Sequence, residues 1–206
     1  MSKKIIPKKF WECDGVSFED MQKKSRQEIF HALKRFGENQ NIPNISWVGV
    51  NVLRFFLQLR KPKKVLEMGC ANGFSSCVIA DQLENWGGVL LTGDVSEPSL
   101  ESAKLNAEVC GLQNIKFRFG DILQTIKKED GPFDLIFIDA QKSWTHKFFI
   151  FAESLLKKGG IIIVDDTQKF PDKMKSFHNH IEREKDSWVW FTVPETDDAI
   201  MIFMKK

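Results

Sequence analysis

The 206-residue chain has no tyrosine although it carries 18 phenylalanines, so no phenolic side chain is available as an acid or base. Its four cysteines, Cys13, Cys70, Cys77 and Cys110, form no CxxC pair and are too sparse for a disulfide scaffold. Buried or idle thiols are expected, not a zinc site. Long apolar runs are also missing. Phe148 to Ala152 and Ala199 to Met204 fall far short of the ~20 residues that cross a bilayer, which argues against a membrane-spanning protein. Charge of one sign is lacking as well: 30 Lys and Arg against 28 Asp and Glu leave +2, and no net field compels binding to nucleic acid or lipid. Lys3, Lys4, Lys8 and Lys9 have no apolar segment behind them, so no secretory signal is expected and the cytoplasm is the expected location. No repeat, Gly/Ser linker or low-complexity tract interrupts the chain. A single domain over 1–206 follows, with a helical segment at 1–60 and an α/β core at 61–206.

Within the first sixty residues, Phe18 to Phe36 reads helical. From Val48 to Leu59, Val48, Val52, Phe55, Phe56 and Leu59 share one face at helical spacing. The break at Asn41 to Asn44, with Pro43, separates the two. From Lys64 the rhythm changes to short apolar strands alternating with helices, the pattern of βαβ units and a parallel sheet covered on both faces. Strands are predicted at Val65–Met68, Val89–Thr92, Ile115–Phe119, Phe133–Ile138 and Ile161–Val164. After a helix at Asp172–Arg183, Trp188–Val193 and Ala199–Met204 form a hairpin that closes the sheet antiparallel. The expected fold is therefore α/β, Rossmann-like and doubly wound, with seven mainly parallel strands, an antiparallel C-terminal strand and N-terminal helices.

In such sheets ligands bind beyond the carboxyl ends of the strands. Val65 to Met68 runs into Gly69-Cys70-Ala71-Asn72-Gly73, where Gly69 and Gly73 allow the backbone to pass close to a ligand. The loop departs from GxGxxG at Ala71. Glu67 brings a carboxylate that disfavours phosphates and favours an amine or sulfonium, so a cationic nucleoside suits it better than a dinucleotide; a structural glycine turn is the competing reading. Asp94, ending the second strand, is placed to accept from ribose hydroxyls, and Asp121, ending the third, to meet an exocyclic amine. Either aspartate alone is more often a helix cap or turn residue. Asp139 ends the fourth strand and Asp165-Asp166 the fifth. Three carboxylates on adjacent strand ends repel unless a cation or protons compensate, and all-oxygen ligands suit Mg²⁺ or Ca²⁺.

From about residue 40 onward, these ordered motifs resemble the cation-dependent O-methyltransferases that include catechol and caffeoyl-coenzyme A methyltransferases. The resemblance implies a class I S-adenosylmethionine fold, with Glu67 and the loop from Gly69 to Gly73 around the methionine moiety and Ser75 beside its carboxylate. It implies that Asp94 binds ribose, that Asp121 lies near adenine and that Asp139, Asp165 and Asp166 hold a divalent cation. Lys142, three residues after Asp139, falls on the family's catalytic lysine. Two positions depart from the pattern: Asp166 stands where Asn is common, and Gln141 where many relatives have a second acid.

The expected activity is methylation of a hydroxyl on a small phenolic or diol-like molecule. The ion would activate the oxygen, and Lys142 would take its proton if burial and the metal depress its pKa. A homodimer is compatible with the resemblance. Three other functions remain open: methylation of a tRNA nucleoside, kept in view by the cluster Arg60 to Lys64; a non-catalytic nucleotide- or partner-binding module; and, last, a nicotinamide dehydrogenase. Trp144 is a candidate wall of an aromatic slot, whereas Trp188 and Trp190, spaced by two, are expected in the core. His146, His178 and His180 are expected at the surface.

Overall fold

The computed structural model describes residues 9–206; Lys3, Lys4 and Lys8 lie outside them. Among the described residues four α-helices precede the sheet: α1 (Phe10–Cys13), α2 (Phe18–Gln22), α3 (Arg26–Asn39) and α4 (Trp47–Arg60). The stretch expected as one helix from Phe18 to Phe36 is split, because Ser25 starts α3 with a reciprocal capping box to Glu28. Ser46 caps α4 by accepting from Gly49 N–H.

The burial of α4 differs from the expectation. Val50, Leu53 and Leu57 face the core, while Val48, Phe55 and Leu59 are 44%, 61% and 64% exposed. The helix carries two apolar stripes, and periodicity alone could not choose between them. No helix among the described residues is long and apolar enough to cross a membrane.

The core alternates β1 (Lys64–Met68), α5 (Phe74–Glu84), β2 (Val89–Asp94), α6 (Glu97–Val109), β3 (Ile115–Phe119), α7 (Ile122–Thr125), β4 (Phe133–Ile138), α8 (Thr145–Leu155), β5 (Leu156–Val164) and α9 (Pro171–Arg183). It ends with the hairpin β6 (Trp188–Pro194) and β7 (Ala199–Lys205). The seven strands lie in the order β3-β2-β1-β4-β5-β7-β6, with β7 antiparallel to β5 and to β6. Successive residues of a strand point to opposite faces, and both faces are covered. Val65, Leu90, Leu135, Phe137 and Ile163 pack with the N-terminal helices, α5 and α6. Leu66, Met68, Ile136, Ile138 and Val164 pack with α8 and α9. Burial of each such side chain stabilises by about 1.5–3 kcal/mol.

Trp188 is buried as expected, but Trp190 is 38% exposed despite stacking on Phe203, because β6 is the sheet's outer strand.

The order reverses at β1, whose neighbours are β2 on one side and β4 on the other. That reversal opens a crevice at the carboxyl ends. The ladder continues one residue past the strands: Gly69 N–H donates to Gly93 O, Asp139 N–H to Met68 O and Asp165 N–H to Ile138 O. Sheet register thus delivers Gly69, Asp139 and Asp165 to one rim.

Candidate functional site

A cavity of about 460 Å³ opens at this rim. Gly69, Ser75, Asp94, Asp121, Asp139, Lys142 and Asp166 line it, so most of the residues singled out from the sequence meet in one place. Gly69 has φ +92°, and a Cβ on it would lie 2.3 Å from the Asp139 carbonyl oxygen, so only glycine lets the loop cross the end of β4 this closely.

Asp94 serves the loop and the cavity at once. Its Oδ2 accepts from Ala71 N–H at 3.1 Å and its Oδ1 from Ser96 N–H at 2.8 Å. Ala71 takes φ +44° without being glycine, a strained conformation that this bond helps to hold. Asp121 caps α7 by accepting from Leu123 N–H while also facing the cavity. Asp121 thus caps a helix and Asp94 braces two loops, the cap of α6 being Ser96, while both aspartates line the cavity.

Glu67 and Gly73 are placed differently. Neither lines the cavity. Gly73 begins α5 at φ +82°, where a Cβ would strike Ala103 at 2.8 Å. Glu67 is fully buried behind the loop; its Oε2 accepts from the hydroxyls of Ser76 and, at 2.6 Å, Thr92, while Oε1 has no partner. Burial raises its pKa to about 7, against the downward pull of the Ser75, Ser76 and Thr92 hydroxyls. The placement makes Glu67 a support of the loop from beneath.

A second set of lining residues carries paired charges. Lys142 Nζ lies 2.7 Å from Asp139 Oδ1 and 2.9 Å from Asp166 Oδ2. Burial works to lower the lysine's pKa, but Asp139 and then Asp166 outweigh it and hold the ammonium charged. This reverses the expectation that Lys142 waits as a depressed-pKa base, because two carboxylates have more influence than desolvation. Asp165, 5% exposed, is pushed well up by burial and by Asp139 and Asp166. Burial also acts to raise Asp166, but its contact with Asp198 and its pairing with Lys142 prevail and lower it.

The oxygen-only donors and their surplus of negative charge fit a hard divalent cation in chemistry. As arranged, with Lys142 between Asp139 and Asp166, the described residues contain no group of three or more His, Cys, Asp or Glu side chains that could hold a metal.

Sequence reasoning missed several lining residues. Pro43, Asn44 and Ile45, read as a mere break between helices, close one wall. Cys70, Val95 and Phe148 add apolar surface, and Trp144 lines the cavity as expected. Only Pro43 carried a signal, as a fixed turn. The basic cluster lies at the amino end of β1, away from this rim, where Arg60 and Lys64 bond the carbonyls of Gly159 and Gly131. Of the histidines, His178 is partly buried and bonded to Thr167 O, while the rings of His146 and His180 meet at a 44° tilt with centroids 4.9 Å apart. All four cysteines are free.

Comparison with known proteins adds a family. A family model described as a methyltransferase domain matches residues 59–203. A catechol O-methyltransferase of Niastella koreensis is 34% identical over 119 residues, covering 55% of this chain and 53% of that protein. A catechol O-methyltransferase of Mycobacterium tuberculosis is 32% identical over 106 residues, covering 50% and 48%. The chain thus spans about half the length of the curated relatives it matches. Among solved structures, an O-methyltransferase from Bacillus cereus in complex with S-adenosylhomocysteine superposes with a TM-score of 0.74 at 22% identity, covering 87% of this chain and 91% of that one. An S-adenosylhomocysteine-bound methyltransferase of Podospora anserina does so with 0.75 at 21%, covering 99% of each. These two show the fold.

Proposed function

The chain belongs to the methyltransferase domain family, and from that premise we propose that it is an S-adenosylmethionine-dependent O-methyltransferase of small hydroxyl-bearing molecules. The observation that carries the proposal is one cavity lined both by the Gly69 loop with Asp94 and Asp121 and by Asp139, Lys142, Asp166 and Trp144. The Gly69 loop, Asp94 and Asp121 suit the donor: Asp94 accepts from the ribose hydroxyls, Asp121 from the adenine amine, and the Ser75 hydroxyl donates to the methionine carboxylate. Val95 and Phe148 give the adenine ring apolar walls. Asp139, Lys142, Asp166 and Trp144 receive the acceptor. The names of the catechol O-methyltransferase relatives support an acceptor of phenolic or diol type.

Methyl transfer is an in-line displacement. A lone pair on the acceptor oxygen forms the O–C bond while the S–C bond breaks, and its electrons return to sulfur. The sulfonium leaves as a neutral thioether, so the leaving group needs no acid. The demand falls on the nucleophile, whose hydroxyl proton passes to solvent water before the oxygen attacks. Lys142, held as an ammonium by Asp139 and Asp166, stabilises the oxyanion that remains and fixes the oxygen's direction. The aromatic face of Trp144, 38% exposed, offers a planar acceptor a stacking surface. Asp139, Asp165 and Asp166 would hold a divalent cation only if it displaced Lys142 from between Asp139 and Asp166, and there it would supply Lewis-acid polarisation of the acceptor oxygen.

Calorimetric titration with S-adenosylmethionine tests the donor half. A methyl-transfer screen of catechols and of tRNA, with Mg²⁺ and with chelator, tests the acceptor half. Micromolar binding and transfer to a catechol that chelator stops is expected. Binding of NAD instead would overturn the proposal, binding without transfer would mark a non-catalytic module, and full turnover in chelator would remove the cation.

A further inference from the structure

Thirty-two residues after Asp166, in the turn between β6 and β7, Asp198 is 91% buried and is the anchor of the loop that follows β5. Its Oδ1 accepts three backbone N–H groups: Ala199 at 2.7 Å, Gln168 at 2.9 Å and Lys169 at 3.1 Å. Thr167 reinforces the attachment, its N–H and its hydroxyl both donating to Ala199 O at 2.9 and 2.7 Å. His178 Nε2 lies 2.7 Å from Thr167 O on the other side. Asp166 therefore sits between two fixed points: Asp165 N–H, bonded to Ile138 O at the end of β5, and this staple to β7.

Between those points Asp166 adopts φ +55°, a left-handed conformation unfavourable to a non-glycine residue. Such a conformation persists only where the surroundings over-determine it. The product of the strain is specific: it turns Asp166 Oδ2 to within 2.9 Å of Lys142 Nζ. The second oxygen of Asp198, buried and without a donor, faces the Asp166 carboxyl group.

We infer that Asp198 is a positioning residue for methyl transfer: by binding the amides of Gln168 and Lys169 it holds Asp166 in its left-handed turn, and Asp166 in turn holds the Lys142 ammonium at the cavity. The role rests on the reading of Lys142 and Asp166 as part of the acceptor site. Asp198 itself does not line the cavity, so it acts only through Asp166. Outer residues that orient those at the reacting centre commonly matter by one or two orders of magnitude.

The test compares Asp198→Ala with Asp198→Asn. Asparagine keeps an acceptor oxygen for the three amides and places a donor toward Asp166. Lys142 is protected in the folded protein, its side chain only 13% exposed, whereas Lys23 is 74% exposed. Acetylation by an N-hydroxysuccinimide ester, read by peptide mass spectrometry as Lys142 relative to Lys23, reports the lysine's placement without any acceptor. Asp198→Ala is expected to raise Lys142 labelling at least fivefold and to lower kcat on the catechol substrate at least tenfold. Calorimetric affinity for S-adenosylmethionine should stay within twofold, and Asp198→Asn should recover most of both losses. If the alanine variant does not fold, Asp198→Ser, which keeps one acceptor atom, takes its place. A folded variant with Lys142 still protected would overturn the inference, as would an asparagine variant no better than the alanine one. If the wild type methylates no acceptor, the proposed function fails while the labelling still judges Asp198.

Discussion

Replacing Glu67 by glutamine should stabilise the protein above neutral pH and destabilise it by about 1–2 kcal/mol in acid. The carboxyl group is fully buried, one oxygen bonded to Ser76 and Thr92 hydroxyls and the other without a partner, and burial lifts its pKa from 4.5 to about 7. Below pH 4.5 the group is protonated in folded and unfolded chains alike and has no effect on the balance. Between 4.5 and 7 the unfolded chain has released its proton while the folded one retains it, so stability falls as pH rises. Above 7 the loss is complete, and at 1.36 kcal/mol per pH unit its ceiling is about 3 kcal/mol. Glutamine keeps the shape and the acceptor for Ser76 and Thr92 but cannot ionise. Its amide places an unpaired donor in the core, which takes back about 1–2 kcal/mol. A net gain of about 1–2 kcal/mol at pH 8 corresponds to about 2–8 °C in Tm for a chain of this size. Calorimetric melting of both proteins without cofactor, from pH 5 to pH 8, measures it. A Tm difference that does not change across that range would refute the reasoning, since only the ionisation makes the difference depend on pH.

Three further substitutions address the cofactor loop. Gly69→Ala should destabilise by about 2 kcal/mol or more and abolish S-adenosylmethionine binding, because the new Cβ meets the Asp139 carbonyl at 2.3 Å; thermal melts and calorimetry read both effects. Asp94→Ala removes the acceptor for Ala71 N–H together with the proposed ribose contact, and should weaken S-adenosylmethionine at least tenfold, about 1.4 kcal/mol, by titration. Ala71→Gly relieves a left-handed residue at φ +44°, worth about 1–2 kcal/mol of strain against about 0.5–1 kcal/mol of added chain entropy, so Tm should rise by about 1–3 °C; a lower Tm would contradict the strain argument.

The sequence by itself determined the sheet. Strands buried on both faces must be short apolar runs, so β1, β4 and β5 are legible from Val65, Phe133 and Ile161 onward, and the acids that follow β4 and β5 mark the rim. Gly69, Asp94, Asp121 and Asp139 could be placed because each lies at a strand end and the register of a parallel sheet aligns those ends. What only the tertiary structure decided involves partners distant in the chain or a choice between equal faces. The two apolar stripes of α4 look alike in sequence, and packing against the sheet buried Val50, Leu53 and Leu57 instead of Val48, Phe55 and Leu59. Glu67 was visible as an acid before the loop, but its withdrawal beneath that loop depends on Thr92, 25 residues away. Lys142 read as a base only through the family resemblance, local context suggesting an exposed loop lysine; two carboxylates brought from separate strand ends pair with it instead. Periodicity and loop chemistry are local, whereas ion pairing, burial and the staple from Asp198 to the β5 loop arise only once the chain has closed on itself.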